Sequence, residues 1–509
     1  MLLGEIVTRN ARRYPEKMAV VFGDRRYTFK KFNQRVNSLV NGLWDMGVRK
    51  GDRVAVFADN CPQYLEAYWA MATGGAVVVP LNCRLATEEF GYLVNNSEAN
   101  TMIVGETYLD MAASMRPELN TVKHFIAIGN KLEGMESYER LVSKYPSTEP
   151  ETKLSEDDIV GILYTSGTTG LPKGVMLTHR NIVAIIENIV ISFGAASDDI
   201  LLNLFPHFTP ATSITLMAYS YMGGTYVGID KFDPETALEI IQKERVTTLW
   251  LAPAMIASLL EYGDIDKYDL SRLHTVIYIG SPIAAEVSKK AIKVFGNTLM
   301  QLYGLTEGLT LTCLSKEDHI LEGTEAKAKR LTSCGREVIN VEVRVVDEEG
   351  NDVAPGEVGE IIARGDIVMK GYWKLPQATA EVIKDGYLYT GDMATVDEEN
   401  YIYTIDRKKD VITSGGQRIN SREIEEVLYR HPSVSEAAVI GIPDKELGEA
   451  IKAVVVLGAE MKATEKEIIE FCQLNLPDYA VPKSIAFVDS LPRSPMGKVL
   501  KRVLREKYQ

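Results

Sequence analysis

From Arg53 onward, short apolar runs alternate with stretches of helical periodicity, and this alternation most restricts what the chain can fold into. Arg53 to Phe57 reads as a buried strand, Gln63 to Ala72 as a helix, and Ala76 to Pro80 as the next strand. The pattern returns at Ile159 to Tyr164, Asn181 to Ile191 and Ile200 to Phe205. It continues through Thr247 to Leu251, Ala254 to Tyr262, Thr275 to Ile279 and Ala284 to Phe295. Strands separated by helices predict parallel sheets, because a parallel pair needs a crossover long enough to hold a helix. Near Gly335 the style changes to short hairpin-like runs, from Val341 to Val346 down to Tyr401-Ile402-Tyr403. Beyond Asp406, a helix at Ser421 to Tyr429 and a strand at Ala437 to Ile442 open a small α+β unit. A strand at Ile451 to Leu457, a helix at Glu465 to Leu474 and a strand at Ser484 to Val488 complete it.

The expected architecture is therefore α/β, with a large N-terminal domain of helix-covered parallel sheets over residues 1–406. That domain includes a β-rich subdomain at about 335–406, and a small α+β C-terminal domain spans 407–509. The charged stretch Arg407 to Asp410 suits a solvent-exposed link between the two domains. A length of 509 residues requires more than one core, as this division supplies. Net charge is −14, which argues against bulk electrostatic binding of nucleic acid but not against a local anion pocket. The five cysteines and six histidines are dispersed without metal-ligand spacing, so small reduced core thiols are expected and a protein-built zinc site is not. Glu5 and Arg9 interrupt any signal-peptide core, and no run reaches the roughly 18 apolar residues of a membrane span. A cytoplasmic location is the expectation, with peripheral contact at a membrane left open.

Chemistry concentrates in three stretches. Thr165-Ser166-Gly167-Thr168-Thr169-Gly170-Leu171-Pro172-Lys173 follows an apolar strand and precedes a helical stretch opening near His179. Glycines let consecutive N–H groups converge, hydroxyls add donors, and Lys173 adds a cation, a combination suited to a nucleotide triphosphate. The spacing is not that of a P-loop. Gln301-Leu302-Tyr303-Gly304-Leu305-Thr306-Glu307 follows another apolar strand. There Tyr303 can stack on a base, Thr306 can bond a phosphate, and Glu307 can hold Mg²⁺ bridging phosphate oxygens. In Tyr389-Thr390-Gly391-Asp392 the carboxylate can bind both ribose hydroxyls, although alone it reads as a turn aspartate.

In this order, and together with Ile279-Gly280-Ser281-Pro282, Asp406-Arg407-Lys408-Lys409-Asp410, Ser414 to Ile419 and Pro492 to Lys498, these stretches resemble the adenylate-forming (AMP-binding) superfamily. The resemblance runs from about Pro15 to the C-terminus and points to the acyl-CoA synthetase branch. It implies that Thr165 to Lys173 holds the β- and γ-phosphates. Gly280, Ser281 and Pro282, with Gln301, Tyr303 and Gly304, would border the adenine. Thr306 would meet the α-phosphate, Glu307 the Mg²⁺, and Asp392 and Arg407 the ribose. Lys498 would bridge the attacking carboxylate and the α-phosphate, Lys409 would be the pivot of a mobile small domain, and Gly416 would lie beside a coenzyme A tunnel. ATP, Mg²⁺, coenzyme A and a small carboxylic acid are the implied partners, with a monomer or homodimer as the assembly.

Three positions depart from that pattern. Where many members read Pro-x-Phe-His, this chain has Pro206-His207-Phe208-Thr209, so the usual histidine is Thr209. Ile279 replaces a common glycine, and Ser421 stands where proline is frequent. Around the expected acyl pocket (His207, Phe208, Thr209, Trp250 and Ile279) the segments are mostly apolar and hold no acidic residue besides Glu307, which disfavours amino acids and suits a fatty or aromatic acid. The resemblance to fatty-acyl-CoA ligases implies a medium- or long-chain fatty acid. Alternatives are a stand-alone adenylating enzyme that loads a carrier protein, a luciferase-like oxygenase, and a catalytically inactive nucleotide-binding regulator.

Overall fold

The computed structural model describes residues 1–165, 171–280, 283, 285–319, 325–408, 410–415, 417–445, 447–458, 461–493 and 499–508. Among the described residues the strands form four sheets. The first is nine-stranded, with a parallel centre of Leu299–Tyr303, Thr275–Tyr278, Thr248–Leu251, Ile200–Asn203, Thr225–Gly228 and Met18–Phe22. Antiparallel strands flank it: Thr312–Leu314 and Arg336–Glu337 at one edge, Arg25–Thr28 at the other. In the eight-stranded second sheet, Ile159–Thr165, Val77–Pro80, Arg53–Phe57, Thr101–Val104, His124–Ala127 and Glu136–Ser137 run parallel.

Side chains alternate across these strands, so each sheet buries both faces. Trp250, Ile277 and Met300 of the first sheet share one core with Val54, Val78 and Leu163 of the second, and the helices Phe29–Asp45, Pro62–Gly74, His179–Phe193 and Pro210–Met222 fill the space between. Leu249, Val276 and Leu299 point the other way, onto the outer helices Pro234–Glu244, Pro253–Glu261 and Ala285–Phe295.

The third sheet is antiparallel and joins Glu342–Val346, Gly359–Arg364, Tyr387–Val396, Ile383–Lys384 and Ile402–Arg407. The fourth belongs to the separate C-terminal domain. Its long hairpin Val434–Asp444/Gly448–Leu457 carries Ser421–Tyr429 and Glu465–Asn475 on one face and Lys501–Tyr508 on the other. The helix at Ser421–Tyr429 starts where its sequence indicates, because the Asn420 side chain accepts from the Arg422 N–H.

Between the Thr165–Lys173 stretch and the helix at His179 lies a further strand, Lys173–Thr178, antiparallel to Ile159–Thr165. The stretch therefore connects a hairpin and does not abut a helix N-terminus. In the charged stretch Arg407 to Asp410, Lys408 is exposed, while the side chain of Asp410 is 14% exposed against Arg505. Among the described residues no helix is long and apolar enough to cross a membrane, and the cysteines are free thiols.

Candidate active site

The C-terminal ends of the parallel strands in the first sheet meet the third sheet and the hairpin of the second. Lys173 begins the second strand of that hairpin, paired with Thr165. Beside it the two-residue strand Gly371–Tyr372 adds to the hairpin edge, and the Trp373 N–H donates to the Gly174 carbonyl at 2.7 Å. Gly174 permits this approach, because a Cβ there would lie 2.6 Å from Ile162 and 3.3 Å from Trp373. Lys173 Nζ sits 5.0 Å from the centroid of the Tyr372 ring, in cation–π contact.

Tyr372 carries the site onward. Its hydroxyl donates to Glu307 Oε1 at 2.7 Å, and the Met369 N–H donates to the Glu307 carbonyl at 2.9 Å. Glu307 lies in the turn after the Leu299–Tyr303 strand, which bends back so tightly that a Cβ on Gly304 would fall 2.0 Å from the Leu309 carbonyl oxygen. Thr306 is half-buried in the same turn. Tyr303 closes the loop of contacts, its hydroxyl donating to Asp392 Oδ2 at 2.7 Å.

Asp392 is a strand residue rather than a turn residue. It sits in Tyr387–Val396, directly opposite Arg407 of Ile402–Arg407, beside a register shift. Gly391 adopts φ 72° there, and Thr390 anchors the irregularity by donating to the Ile361 carbonyl at 2.7 Å and accepting from the Asp392 N–H at 3.1 Å. Arg407 Nε lies 3.0 Å from Asp392 Oδ1 but out of line for a hydrogen bond, so a buried guanidinium N–H is left unsatisfied. Burial opposes the Arg407 charge, yet Asp392 and Glu307 outweigh it and hold the pKa above the usual arginine value. Burial, reinforced by Asp392 and Glu307 respectively, pushes the Tyr303 and Tyr372 phenols up, so both remain donors.

Lys173, Tyr372 and Glu307 thus form one chain of contacts, and Arg407, Asp392 and Tyr303 a second, with the Glu307 charge helping to raise the Arg407 pKa; the two draw on all three predicted stretches. Tyr372 is the member sequence reasoning missed: it carries no charge, and its Gly-Tyr-Trp setting announces only an aromatic strand. Gln301 is buried, its Oε1 accepting from the Tyr278 hydroxyl at 3.3 Å. Gly280 is exposed at φ 88° with open space where a Cβ would go. Ser166, Gly167, Thr168, Thr169, Gly170, Ser281, Pro282, Lys409, Gly416 and Lys498 lie outside the described residues.

The expected acyl-pocket residues are largely enclosed. His207 is 1% exposed, ringed by Phe22, Tyr64 and Tyr226, with Nε2 2.6 Å from the Tyr226 hydroxyl, and burial pushes its pKa down to about 3. Trp250 stacks edge-on against Phe193, and Ile279 joins the same core. Phe208 alone of the five is half-buried. Thr209 is buried at the N-cap of the helix Pro210–Met222; its Oγ1 donates to the Pro206 carbonyl at 2.9 Å and lies 2.7 Å from Thr212 Oγ1.

A site with a lysine at one end, an unsatisfied guanidinium N–H, and the Glu307 carboxylate apart from an Asp392 already engaged by Arg407 and Tyr303 suits a nucleotide better than a metal held by protein alone. Among the described residues no group of three acidic, His or Cys side chains is placed to hold an ion. One carboxylate is nevertheless what a magnesium ion sharing phosphate oxygens requires.

Residues 7–373 match the family of AMP-binding enzymes, and residues 423–498 match the AMP-binding enzyme C-terminal domain. The chain belongs to the AMP-binding enzymes. Its activity class follows: an ATP-using, AMP-forming acid–thiol ligase of the acyl-CoA synthetase kind. This AMP-binding enzyme is 36% identical to the feruloyl-CoA synthase of Amycolatopsis sp over 507 residues, covering 99% of each chain. It is 34% identical to a long-chain-fatty-acid–CoA ligase of Bacillus subtilis (strain 168), covering 99% of this chain and 94% of that one. It is also 32% identical to the fatty acid–[acyl-carrier-protein] ligase ScoC of Streptomyces coeruleorubidus, covering 98% and 95%. Among solved structures, ATP-bound MatB from Rhodopseudomonas palustris superposes with a TM-score of 0.89 at 27% identity, covering 99% of each chain. Apo MatB, at the same identity and coverage, gives 0.78. The chain therefore superposes more closely on the ATP-bound structure than on the apo one.

Proposed function

We propose that the enzyme joins a hydrophobic carboxylic acid to coenzyme A in two steps at this site. A carboxylate oxygen attacks the α-phosphorus of ATP, the bond to the pyrophosphate oxygen breaks, and an acyl-adenylate forms. The thiol sulfur then attacks the acyl carbonyl, the thiol proton is lost, and AMP leaves. The observation supporting this reading is the pair of contact chains Lys173–Tyr372–Glu307 and Arg407–Asp392–Tyr303, drawn from the three predicted stretches.

In this proposal Lys173, with Thr165 and the 166–170 segment, binds the β- and γ-phosphates, and Thr306 donates to the α-phosphate. Asp392 accepts from the ribose hydroxyls and Arg407 donates to them. Tyr303 and Gln301, with Gly280, Ser281, Pro282 and Gly304, border the base. Glu307 is the residue that would hold Mg²⁺, whose charge would offset that gathering on the phosphates. Attack of one anion on another is hindered by repulsion, and a positioned lysine, Lys498, would lower that barrier. The large domain is assigned to 1–406 and the small one to 407–509, turning at Lys409 to bring Gly416 beside the thiol channel for the second step.

The acid is assigned as a fatty acid of medium or long chain, with an aromatic acid as the competing choice. The enclosed apolar surroundings of Phe208, Trp250 and Ile279 favour hydrophobic acids over amino acids. Transfer to a carrier protein remains the second reading, favoured by the likeness to ScoC. A pyrophosphate-release screen of short, long and aromatic acids, with and without coenzyme A, tests the assignment. Release with long or aromatic acids, and acyl-CoA only when coenzyme A is present, is expected. Release without thioester would support the carrier-protein reading.

A further inference from the structure

A second charged cluster lies at the domain junction. Asp406, near the end of the Ile402–Arg407 strand, accepts from the Ser421 hydroxyl, and Lys501 Nζ stands 3.5 Å from its Oδ2. Lys501 Nζ also lies 2.9 Å from Glu425 Oε1 and donates to Ser421 Oγ. Arg422 adds bonds to the Thr404 carbonyl and hydroxyl at 3.3 and 3.1 Å. One turn after Lys501 on the same helix face, Arg505 Nη1 pairs with Asp410 Oδ1. Lys501 is only 15% exposed; burial pulls its pKa down, but Glu425 and Asp406 outweigh that and hold it above the usual lysine value.

Chain connectivity divides this cluster. Arg505–Asp410 and Lys501–Glu425 lie wholly after residue 409 and would travel together in any turn about it. Asp406 and Thr404 lie before it, while Ser421, Arg422 and Lys501 lie after it. A rotation of the small domain at Lys409 therefore keeps the first pairs and breaks the bonds to Asp406 and Thr404. A charged group that loses a buried partner must find water, so these contacts bias the position of the domain.

We propose that Asp406 and Lys501 are positioning residues for the ligase, their contact across the junction holding the small domain in the arrangement for adenylate formation. The closer superposition on ATP-bound MatB points to that step, because ATP is the substrate consumed in it. The proposal rests on the two-step reading above.

The test separates the half-reactions in full-length Asp406→Asn and Ser421→Ala. Adenylate formation, measured as ATP–pyrophosphate exchange, is expected to fall about tenfold in Asp406→Asn and less in Ser421→Ala. Thioester formation from synthetic acyl-adenylate and coenzyme A is expected to be unchanged or faster. Small-angle scattering of the ligand-free Asp406→Asn chain should depart from the wild-type curve, an effect that mere loss of stability in a folded chain does not produce. Equal loss in both half-reactions, no loss in either, or a scattering curve identical to wild type overturns the proposal. A wild-type enzyme inactive in exchange with every acid would instead count against the two-step reading, and the scattering comparison would still decide the role of Asp406.

Discussion

The Tyr372 hydroxyl donates to Glu307 Oε1 at 2.7 Å while the same ring faces Lys173 Nζ at 5.0 Å, so one aromatic side chain joins the cation and the carboxylate of the site. Removing the hydroxyl leaves the ring and its cation contact in place. Tyr372→Phe is expected to slow ATP–pyrophosphate exchange about tenfold, the value of one hydrogen bond to a charged group, with a small change in melting temperature. An unchanged exchange rate would mean that Glu307 is positioned without it.

Gly304 faces the opposite constraint, being intolerant of any side chain. A methyl group there would overlap the Leu309 carbonyl, which belongs to backbone and cannot swing aside as a flexible side chain can. Gly304→Ala should rearrange the turn that carries Thr306 and Glu307 and abolish exchange while the rest of the protein stays folded. Near-normal exchange with a normal KM for ATP would show that the turn is dispensable.

Thr209 stands where many members of the family have histidine. Its burial at the head of Pro210–Met222, with Oγ1 engaged by Pro206 and Thr212, supports a packing role. Thr209→His, the common family residue, is expected to cost about 1–3 kcal/mol through overpacking, whereas Thr209→Ser keeps the hydroxyl and stays close to wild type. Denaturant midpoints of the two variants check this, and a Thr209→His protein as stable as wild type would contradict the packing role.

His179 gives a pH signature. It is buried, its Nδ1 accepts from the Leu3 N–H at 3.1 Å, and burial pushes its pKa down to about 4. A folded-state pKa below the unfolded value means the unfolded chain binds more protons between them. The contribution is therefore complete above about pH 6.5 and is lost as pH falls toward 4, at a slope of about 1.4 kcal/mol per unit. His179→Gln, which can still accept from Leu3, should flatten stability against pH in that window by this amount. Parallel curves for wild type and variant would contradict it.

What the sequence made legible follows from the range of each signal. Parallel strands such as Arg53–Phe57 and the helix Ser421–Tyr429 are marked by local apolar runs and caps, and they stand where expected. Arg25–Thr28 has no fully buried position, and Met18–Phe22 finds its parallel partner Thr225–Gly228 some two hundred residues away, so neither was legible locally. Asp392 read as a turn residue because Gly391 precedes it, although that glycine serves a bulge inside a strand. Tyr372 and the Asp406–Lys501 contact depend on groups brought together from distant segments, and no spacing along the chain announces them.

The central claim is tested most directly by product analysis of one reaction mixture: enzyme, ATP, Mg²⁺, coenzyme A and a long-chain or aromatic acid. The account predicts AMP, pyrophosphate and acyl-CoA in equal amounts, each dependent on the acid, and loss of all three in Lys498→Ala. ADP and phosphate as the nucleotide products, or AMP release that does not depend on the acid, would contradict it.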